Sequence, residues 1–588
     1  MSRKLLLFWL LTGVALFVFL QVCYPYLFFF NEQSQLFLAE ADYLQACIGT
    51  LGGLAKWLSE FVVQFFVYPY VGAGLTAFIL TCMAYLLGKT VYRISGSSLL
   101  AASSWFPIIT QVWILSDYNY TFQGLIALWL MLGIMSFCLF ILSDRWRIIG
   151  ELIGGSLLIG LAGSVAFLFV SCCLAYELGN LKKRKWMAFF PFLLCIGLLL
   201  ALYHEAVIPE IRLAFLPDQY YPVLLKPRFT IYFTWIGIFL WIVLAGWQKR
   251  HGWKWKTRKQ TLGMSLLLAL MFAVWSYLGT MRWADWKMRR YMMLDYYSRT
   301  GQWQKIEAAC QGKQNNYLYM NLLARALAEQ GTLAEKMFRY SFRGEKSLVV
   351  NWNRTEDVSA LLSDVYFTAG NIALSQRLAF EGYSCARGNY NARLLQRLVQ
   401  TNLIYGEYAV AEKYIRLLEK SWTYREWAKQ QRKFLYNDAE VENDPLLGSK
   451  RSLLLSPEDT TQQKVAGEQL ETAMQLPILA NSAQARTAFE YLMGAYLLKK
   501  DMASFQYLID RYWGTPLLPD LPVAYQEALI VAHEKNPEGL DKYALNKDVL
   551  SRYADFRKQV LANRNNRGLA GLLYRSFGDT YWYYVVFK

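Results

Sequence analysis

The sequence predicts an all-α membrane protein: a polytopic transmembrane helical bundle of about nine crossings, followed by an extracytoplasmic TPR-like α-solenoid. Three observations predict it. The 588 residues have a mean hydropathy of +0.18, with 55% hydrophobic and only 18% charged residues. That charge is unevenly placed: the first 280 residues hold 20 Lys+Arg and 11 Asp+Glu, the following 308 hold 41 and 33. Lys and Arg recur in alternate short loops of the first half, and glycine-marked turns recur at a helical-repeat spacing in the second. A disordered chain, a small disulfide-stapled domain and a purely cytosolic enzyme are excluded.

The first element follows Arg3-Lys4 and is apolar to Phe30. No small-x-small cleavage site follows, and Val22 stands where a lipoprotein box before Cys23 needs a small residue. The segment therefore reads as a retained first span. About 20 apolar residues cross about 30 Å of hydrocarbon, which marks Leu5–Phe30, Val71–Leu87, Leu99–Leu115, Phe122–Leu142, Trp186–Tyr203, Thr230–Trp247 and Thr261–Gly279 as spans.

The run Ile148–Leu178 would make one helix about 46 Å long, too long for a bilayer. Charge decides it. With the clusters Arg3-Lys4, Lys89/Arg93, Arg145/Arg147, Lys182–Lys185 and Lys249–Lys259 on the cytoplasmic side, sixteen basic residues lie inside against four outside (Lys56, Arg212, Lys226, Arg228). An even number of crossings must then separate Arg147 from Lys182, so the run is a hairpin of two short helices turning near Gly160–Gly163. Gly150, Gly154, Gly155, Gly160 and Gly163 serve close helix packing, since no Lys-Ser/Thr follows to make a phosphate loop. Nine crossings put the N-terminus in the cytoplasm and everything after Gly279 outside. The setting is a bacterial inner membrane with a periplasmic C-terminal domain.

Residues 1–280 are thus the transmembrane domain and 281–435 the helical repeats. The repeat signal is a series of turns at Gly301, Gly331, Gly370 and Gly406, spaced 30, 39 and 36 residues apart, close to the 34-residue TPR period. Glycine there ends one helix in the left-handed conformation and the next begins at once. Around Gly406, Leu394, Leu395, Leu398, Val399 and Leu403 line one helix; Ala409, Ala411, Tyr414, Ile415 and Leu418 line its partner. Residues 436–462, rich in Asp, Asn, Pro, Gly and Ser, read as a long loop. Residues 463–588 carry further repeats, with a helix pair Ala483–Leu498 and Met502–Trp513 and an aromatic tail, Asp579–Lys588. The tail reads as a strand, an interfacial anchor or a plug against the last helices.

Chemistry is scarce. Three histidines (His204, His251, His533) and nine cysteines without a CxxC pair leave no metal cluster, so no metal site is assigned. No nucleophile elbow appears. Net charge +17 is mostly inner-loop charge, leaving +8 for the soluble half, so no nucleic-acid partner is expected. The first outer loop is the most suggestive segment. It holds Glu32, Glu40 and Asp42, then an apolar stripe of Leu54, Leu58, Phe61, Val62, Phe65 and Phe66 at helical spacing, with Lys56, Ser59, Glu60 and Gln64 on the polar side. That pattern predicts an amphipathic helix in the membrane interface. A second outer loop, 204–229, places Arg212, Lys226 and Arg228 at headgroup depth, where they would grip phosphate or anchor to membrane lipid.

A carboxylate-bearing first outer loop followed by an interfacial helix resembles the GT-C superfamily, multi-span glycosyltransferases that use polyprenyl-phosphate-linked sugars. The resemblance covers the layout of the whole chain. It implies transfer of a sugar from a polyprenyl-linked donor to an extracytoplasmic acceptor, with Asp42, Glu32 or Glu40 as base or as ligand to a divalent metal, and with Arg212, Lys226 and Arg228 on the donor phosphate. The chain also resembles a group of Bacteroidota membrane proteins with helical periplasmic tails, which brings no activity. The alternative is a non-enzymatic membrane scaffold whose TPR-like surface binds a protein partner in envelope assembly or secretion.

Overall fold

The computed structural model describes residues 3–588 except 181–184, 223–224, 253–257, 387–389, 455–469, 481 and 535, with backbone alone for 3–5 and 258–262. The basic side chains Arg3-Lys4, Lys182–Arg184 and Lys254–Lys259, on which the orientation argument partly rests, lie outside the described residues. The architecture is all-helical, with no named strand among the described residues. The chain forms two compact units: residues 1–289 with the short segment 420–423, and residues 290–419 with 424–588.

In unit 1, α1 (Arg3–Cys23) stops short of the predicted Phe30. Proline at position 25 lacks the N–H needed to continue the ladder and starts a second helix, α2 (Pro25–Gln33). The outer loop forms α3 (Ala41–Ile48) and α4 (Gly53–Val63). Then come α5 (Val71–Ser95), α6 (Ser98–Ala102), α7 (Trp105–Leu115) and α8 (Gln123–Cys138). The long glycine-rich run is two helices, α9 (Asp144–Ala162) and α10 (Val165–Asn180), broken at Gly163, whose φ is +86°. The packing reading holds for Gly154 and Gly155, where a Cβ would meet Ile134 at 3.0 Å and Val170 at 2.9 Å, but not for Gly160, where a Cβ would meet nothing within 4 Å. The unit continues with α11 (Phe189–His204), α12 (Ile211–Phe215), α13 (Ile231–His251) and α14 (Arg258–Trp283).

Among the described residues, six helical stretches are long and apolar enough to cross a membrane: Leu6–Cys23, Val71–Ser95, Ser98–Leu115, Lys185–His204, Ile231–His251 and Gly263–Trp283. The helices α8 and α10 are apolar but 16 residues each, about 24 Å, and α9 opens with Asp144, Arg145 and Arg147. Buried hydroxyls and amides join the spans. Thr234 on α13 meets Thr110 at 2.6 Å and accepts from Gln111 at 2.8 Å. Arg147 on α9 pairs with Glu177 on α10, both buried.

Unit 2 opens with helix pairs at the predicted turns: α15 (Trp286–Arg299, its first residues in unit 1) with α16 (Trp303–Ala309), α17 (Tyr317–Glu329) with α18 (Leu333–Lys336), α19 (Glu356–Ala369) with α20 (Ile372–Ser384), and α21 (Ala392–Tyr405) with α22 (Tyr408–Glu419). The linking glycines 301, 331, 370 and 406 all have positive φ, the left-handed turn that only glycine enters without cost. The first helices of the pairs share one buried charge network. Asp364 on α19 accepts from Arg325 on α17 (2.9 Å) and from Arg393 (2.6 Å) and Arg397 (2.8 Å) on α21. Arg393 reaches back to Asp295 on α15 at 2.8 Å, and Arg325 to Ser298 at 2.8 Å. Burial alone would raise the Asp364 pKa, but Arg393, Arg325 and Arg397 hold it well below the usual carboxylate range.

The stretch expected as a long loop, 436–462, is described as far as 454 and holds two short helices joined by turns there. Its helices are α23 (Asp438–Asn443) and α24 (Leu447–Arg451), the second packed on α21. The predicted pair Ala483–Leu498 and Met502–Trp513 forms as Arg486–Lys499 and Met502–Tyr512, turning at Lys500 with φ +61°. The aromatic tail is the plug: a helix, Tyr581–Phe587, whose Tyr584 hydroxyl donates to the Leu498 carbonyl at 2.9 Å. All nine cysteines are free, so Cys310 and Cys385 are not paired.

Two outcomes follow from this packing. A fragment beginning at Met281 is expected to be soluble and mainly helical by circular dichroism, because unit 2 buries its own apolar faces. Asp364→Asn keeps the shape but strands three buried guanidinium groups, a loss of about 3–5 kcal/mol. Hydrogen exchange on the full chain should show protection of α17, α19 and α21 falling about 100-fold or more.

Candidate functional site

Each of the six sequence-predicted site residues has its own setting. Glu32 ends α2 and is buried. Glu40 caps α3 and its carboxylate takes Lys420 at 2.8 Å. Asp42, in the first turn of α3, is exposed. Lys226 is exposed as well. Arg212 is tied to Glu210 and lies 3.8 Å from Asp218. Arg228 spans Asp117 (3.1 Å) and Asp285 (2.7 Å). The two arginines expected to hold a donor phosphate therefore already answer carboxylates of their own unit. Each of those buried carboxylates also takes a tyrosine hydroxyl: Tyr221 donates to Asp117 at 3.0 Å and Tyr232 to Asp218 at 2.7 Å.

A residue the sequence reading left as a solvated charge, Glu60, is the chemically distinctive one. On α4 the small residues Gly53, Ala55, Ser59 and Val63 face α8 and α9 and carry Glu60 into protein with them, whereas Leu54, Leu58, Phe61, Val62 and Phe65 stay half-exposed. Glu60 accepts the Tyr43 hydroxyl. Burial pushes the Glu60 carboxyl up to about 7, while the Tyr43 hydrogen bond and Lys56 pull the other way. Burial and the neighbouring carboxylate raise Tyr43 as well. A carboxyl titrating near neutrality beside a phenol can exchange a proton at physiological pH. The available signal was the run of small residues on its own face of the helix.

Two adjoining apolar cavities in unit 1 run along α13. One of about 760 Å³ is lined by Phe106, Phe233, Trp241, Trp275 and neighbours on α7, α13 and α14; the next, about 400 Å³, shares Phe106, Trp241 and Met271. None of the six predicted residues lines either. The third cavity lies within unit 2 and is polar and aromatic. It encloses about 760 Å³ between the extended segment 349–352, Leu362 and Tyr366 of α19, Leu374, Arg377 and Leu378 of α20, and Glu345, Leu470, Glu471 and Lys499. Lys499 bridges Glu345 (2.6 Å) and Glu471, and the Trp352 indole N–H donates to Ser359 at 2.8 Å. No group of three or more His, Cys, Asp or Glu suited to a metal occurs among the described residues.

The Glu60 carboxyl gives a pH signature with a definite sign. Its folded pKa is raised, so between about 4.5 and about 7 the folded state keeps a proton the unfolded state has lost. Stability from this group is therefore present at pH 4.5 and falls as pH rises to 7, by on the order of 3 kcal/mol. Thermal unfolding in detergent at pH 5 and pH 8 should show Glu60→Gln more stable than the parent at pH 8, with the two closer at pH 5.

Comparison with known proteins supplies a family and no activity. A family model described as a family of unknown function, DUF6057, matches residues 1–588. No curated protein and no solved structure matches the chain.

Proposed function

The chain belongs to this family of unknown function, DUF6057, and from that premise we propose that it is a membrane-anchored recognition protein of the bacterial envelope rather than an enzyme. Nine crossings would hold the N-terminus in the cytoplasm of an inner-membrane protein and present unit 2, as a TPR-like array, in the periplasm. The observation that carries the reading is the cleft of unit 2. It has the volume of ligand sites, about 300–1,000 Å³, and a lining of aromatic and paired polar groups. The six residues predicted for catalysis and donor binding, by contrast, are buried, exposed or ion-paired. Support for nine crossings comes from the break at Gly163, which turns one long apolar run into the two helices that charge parity requires.

One specific observation favours a second reading, the GT-C-like glycosyltransferase. Glu60 is a buried outer-loop carboxyl poised near neutrality, and the adjoining cavities of α7, α13 and α14 offer the apolar lining that a polyprenyl chain needs. In that reading a carboxylate (Asp42, Glu32, Glu40 or Glu60) accepts the acceptor's proton as the anomeric carbon is attacked, while Lys226, Arg212 and Arg228 face the donor phosphate. A divalent metal would need a carboxylate to hold it.

A single complementation series separates the two. Variants carry Trp352→Ala in the cleft or, in turn, Glu32→Gln, Glu40→Gln, Asp42→Asn and Glu60→Gln in the outer loop, each tested for rescue of a deletion strain's envelope integrity. The recognition reading expects the cleft variant to fail and all four amides to rescue. Failure of an outer-loop amide that still inserts, with altered envelope glycans, gives the transferase reading instead. Cysteine accessibility should place Lys249→Cys in the cytoplasm and Gly301→Cys outside; a cytoplasmic Gly301→Cys overturns the nine-crossing topology.

A further inference from the structure

Resting on the reading of unit 2 as a recognition unit, we propose that its cleft binds a neutral oligosaccharide. Charge selects the class first. Among the described residues, the ionised groups lining the cleft are Arg377, Lys499, Glu345 and Glu471, two of each sign. They are mutually engaged: Lys499 spans both carboxylates, and Arg377 is held by Glu381 at 2.9 Å. No unbalanced field remains to favour a phosphate, a nucleic acid or a strongly charged peptide.

The remaining lining has the two-sided chemistry of a sugar, which presents apolar C–H faces and hydroxyl edges. Trp352 and Tyr366 supply flat apolar surface. The bond from the Trp352 indole to Ser359 spends its only polar atom and fixes its plane, so the ring acts as a platform. Asn351 is exposed beside it, and Glu345 and Glu471 are each engaged by Lys499 through one oxygen. Planar amide and carboxylate groups of this kind pair with adjacent hydroxyls.

The wall carrying Trp352 is also pre-formed, and in a way that suits a sugar better than a peptide. Asn321, buried on α17, donates to the Lys346 carbonyl (2.9 Å) and the Ser347 carbonyl (3.1 Å) and accepts the Val350 N–H at 2.8 Å. Ser347 accepts the Arg343 N–H at 2.7 Å. The extended segment 349–352 is thereby locked before any ligand arrives, which lowers the ordering cost of binding. The same lock spends the Val350 N–H, a donor that a peptide strand adding to this edge would need.

The test uses the full chain in lipid nanodiscs and isothermal titration with three probes: maltotriose, mannotriose and triacetylchitotriose. At least one is expected to bind with a Kd below about 1 mM. Trp352→Ala should weaken it at least tenfold, whereas Trp352→Phe, which keeps a flat ring, stays within about threefold. Glu471→Gln, on the rim, should weaken binding severalfold without changing the helical circular dichroism. Absence of binding by all three probes, or binding unaffected by Trp352→Ala and Glu471→Gln, overturns the sugar assignment. A displayed peptide library selected on the same nanodiscs is the second arm. A peptide whose binding falls with Trp352→Ala overturns the sugar class and leaves recognition standing. No Trp352-dependent binder in either arm overturns both.

Discussion

Unit 2 depends on one carboxylate. Asp364 sits 5% exposed and takes three guanidinium groups from two neighbouring helices, while Asp295 on a third takes the second arm of Arg393. Burying this much charge gains little net stability over apolar packing. What it gives is register: the fork of Arg393 fits only when α15, α19 and α21 stand at one offset, and Arg325 adds α17. Leu362 and Tyr366, which line the cleft, flank Asp364 on α19, so the network also sets the depth of the binding wall. The cleft beside it balances its own charges separately, through Lys499 with Glu345 and Glu471 and Arg377 with Glu381.

A related constraint shapes the loops of unit 1. Asp117 and Asp218 are buried close to chain that lacks regular helix, and each is satisfied by a tyrosine hydroxyl and an arginine. Removing Arg228 to serve a phosphate would leave Asp117 buried with only Tyr221 and backbone for company, at a cost of several kcal/mol. Arg212 and Arg228 are therefore better explained as latches that hold the loops of unit 1 together. Glu60 differs because no guanidinium reaches it. Its charge is opposed mainly by burial, which drives the carboxyl toward neutrality.

What the sequence made legible was local or topological. The turns at Gly301, Gly331, Gly370 and Gly406 are short-range chemistry, since a left-handed residue after a helix needs no distant partner. The break near Gly163 followed from charge parity across loops far outside it. The misses share a cause: the same residue type serves two environments. Asn437 and Asp444 read as loop formers, yet their side chains accept the first N–H groups of α23 and α24, so the polar stretch becomes capped helix. Pro25 hid inside an apolar run that hydropathy could not divide. The amphipathic α4 was correct in pattern, but a hydrophobic stripe cannot say whether protein or lipid covers it. Small residues brought the polar face inward with Glu60 on it. The cleft had no local signature at all, because 345–352, 362–378 and 470–499 meet only in the folded unit.

These arrangements bear on function through one comparison. Catalysis by transfer needs an ionisable group, a donor grip and a cavity at the same place. In unit 1 they sit on different elements: the group that titrates near neutrality is on α4, the arginines are ion-paired near the ends of α12 and α13, and the cavities are lined by α7, α13 and α14. Recognition asks for less, a pre-formed wall, flat apolar surface and satisfied polar groups at the rim. Asn321, Trp352 and the Glu345–Lys499–Glu471 bridge supply these within one unit. In unit 1, the described residues hold six helices long and apolar enough to span a membrane; buried hydroxyls and an amide join α7 to α13, and the buried Arg147–Glu177 pair joins α9 to α10, contacts suited to a medium without water.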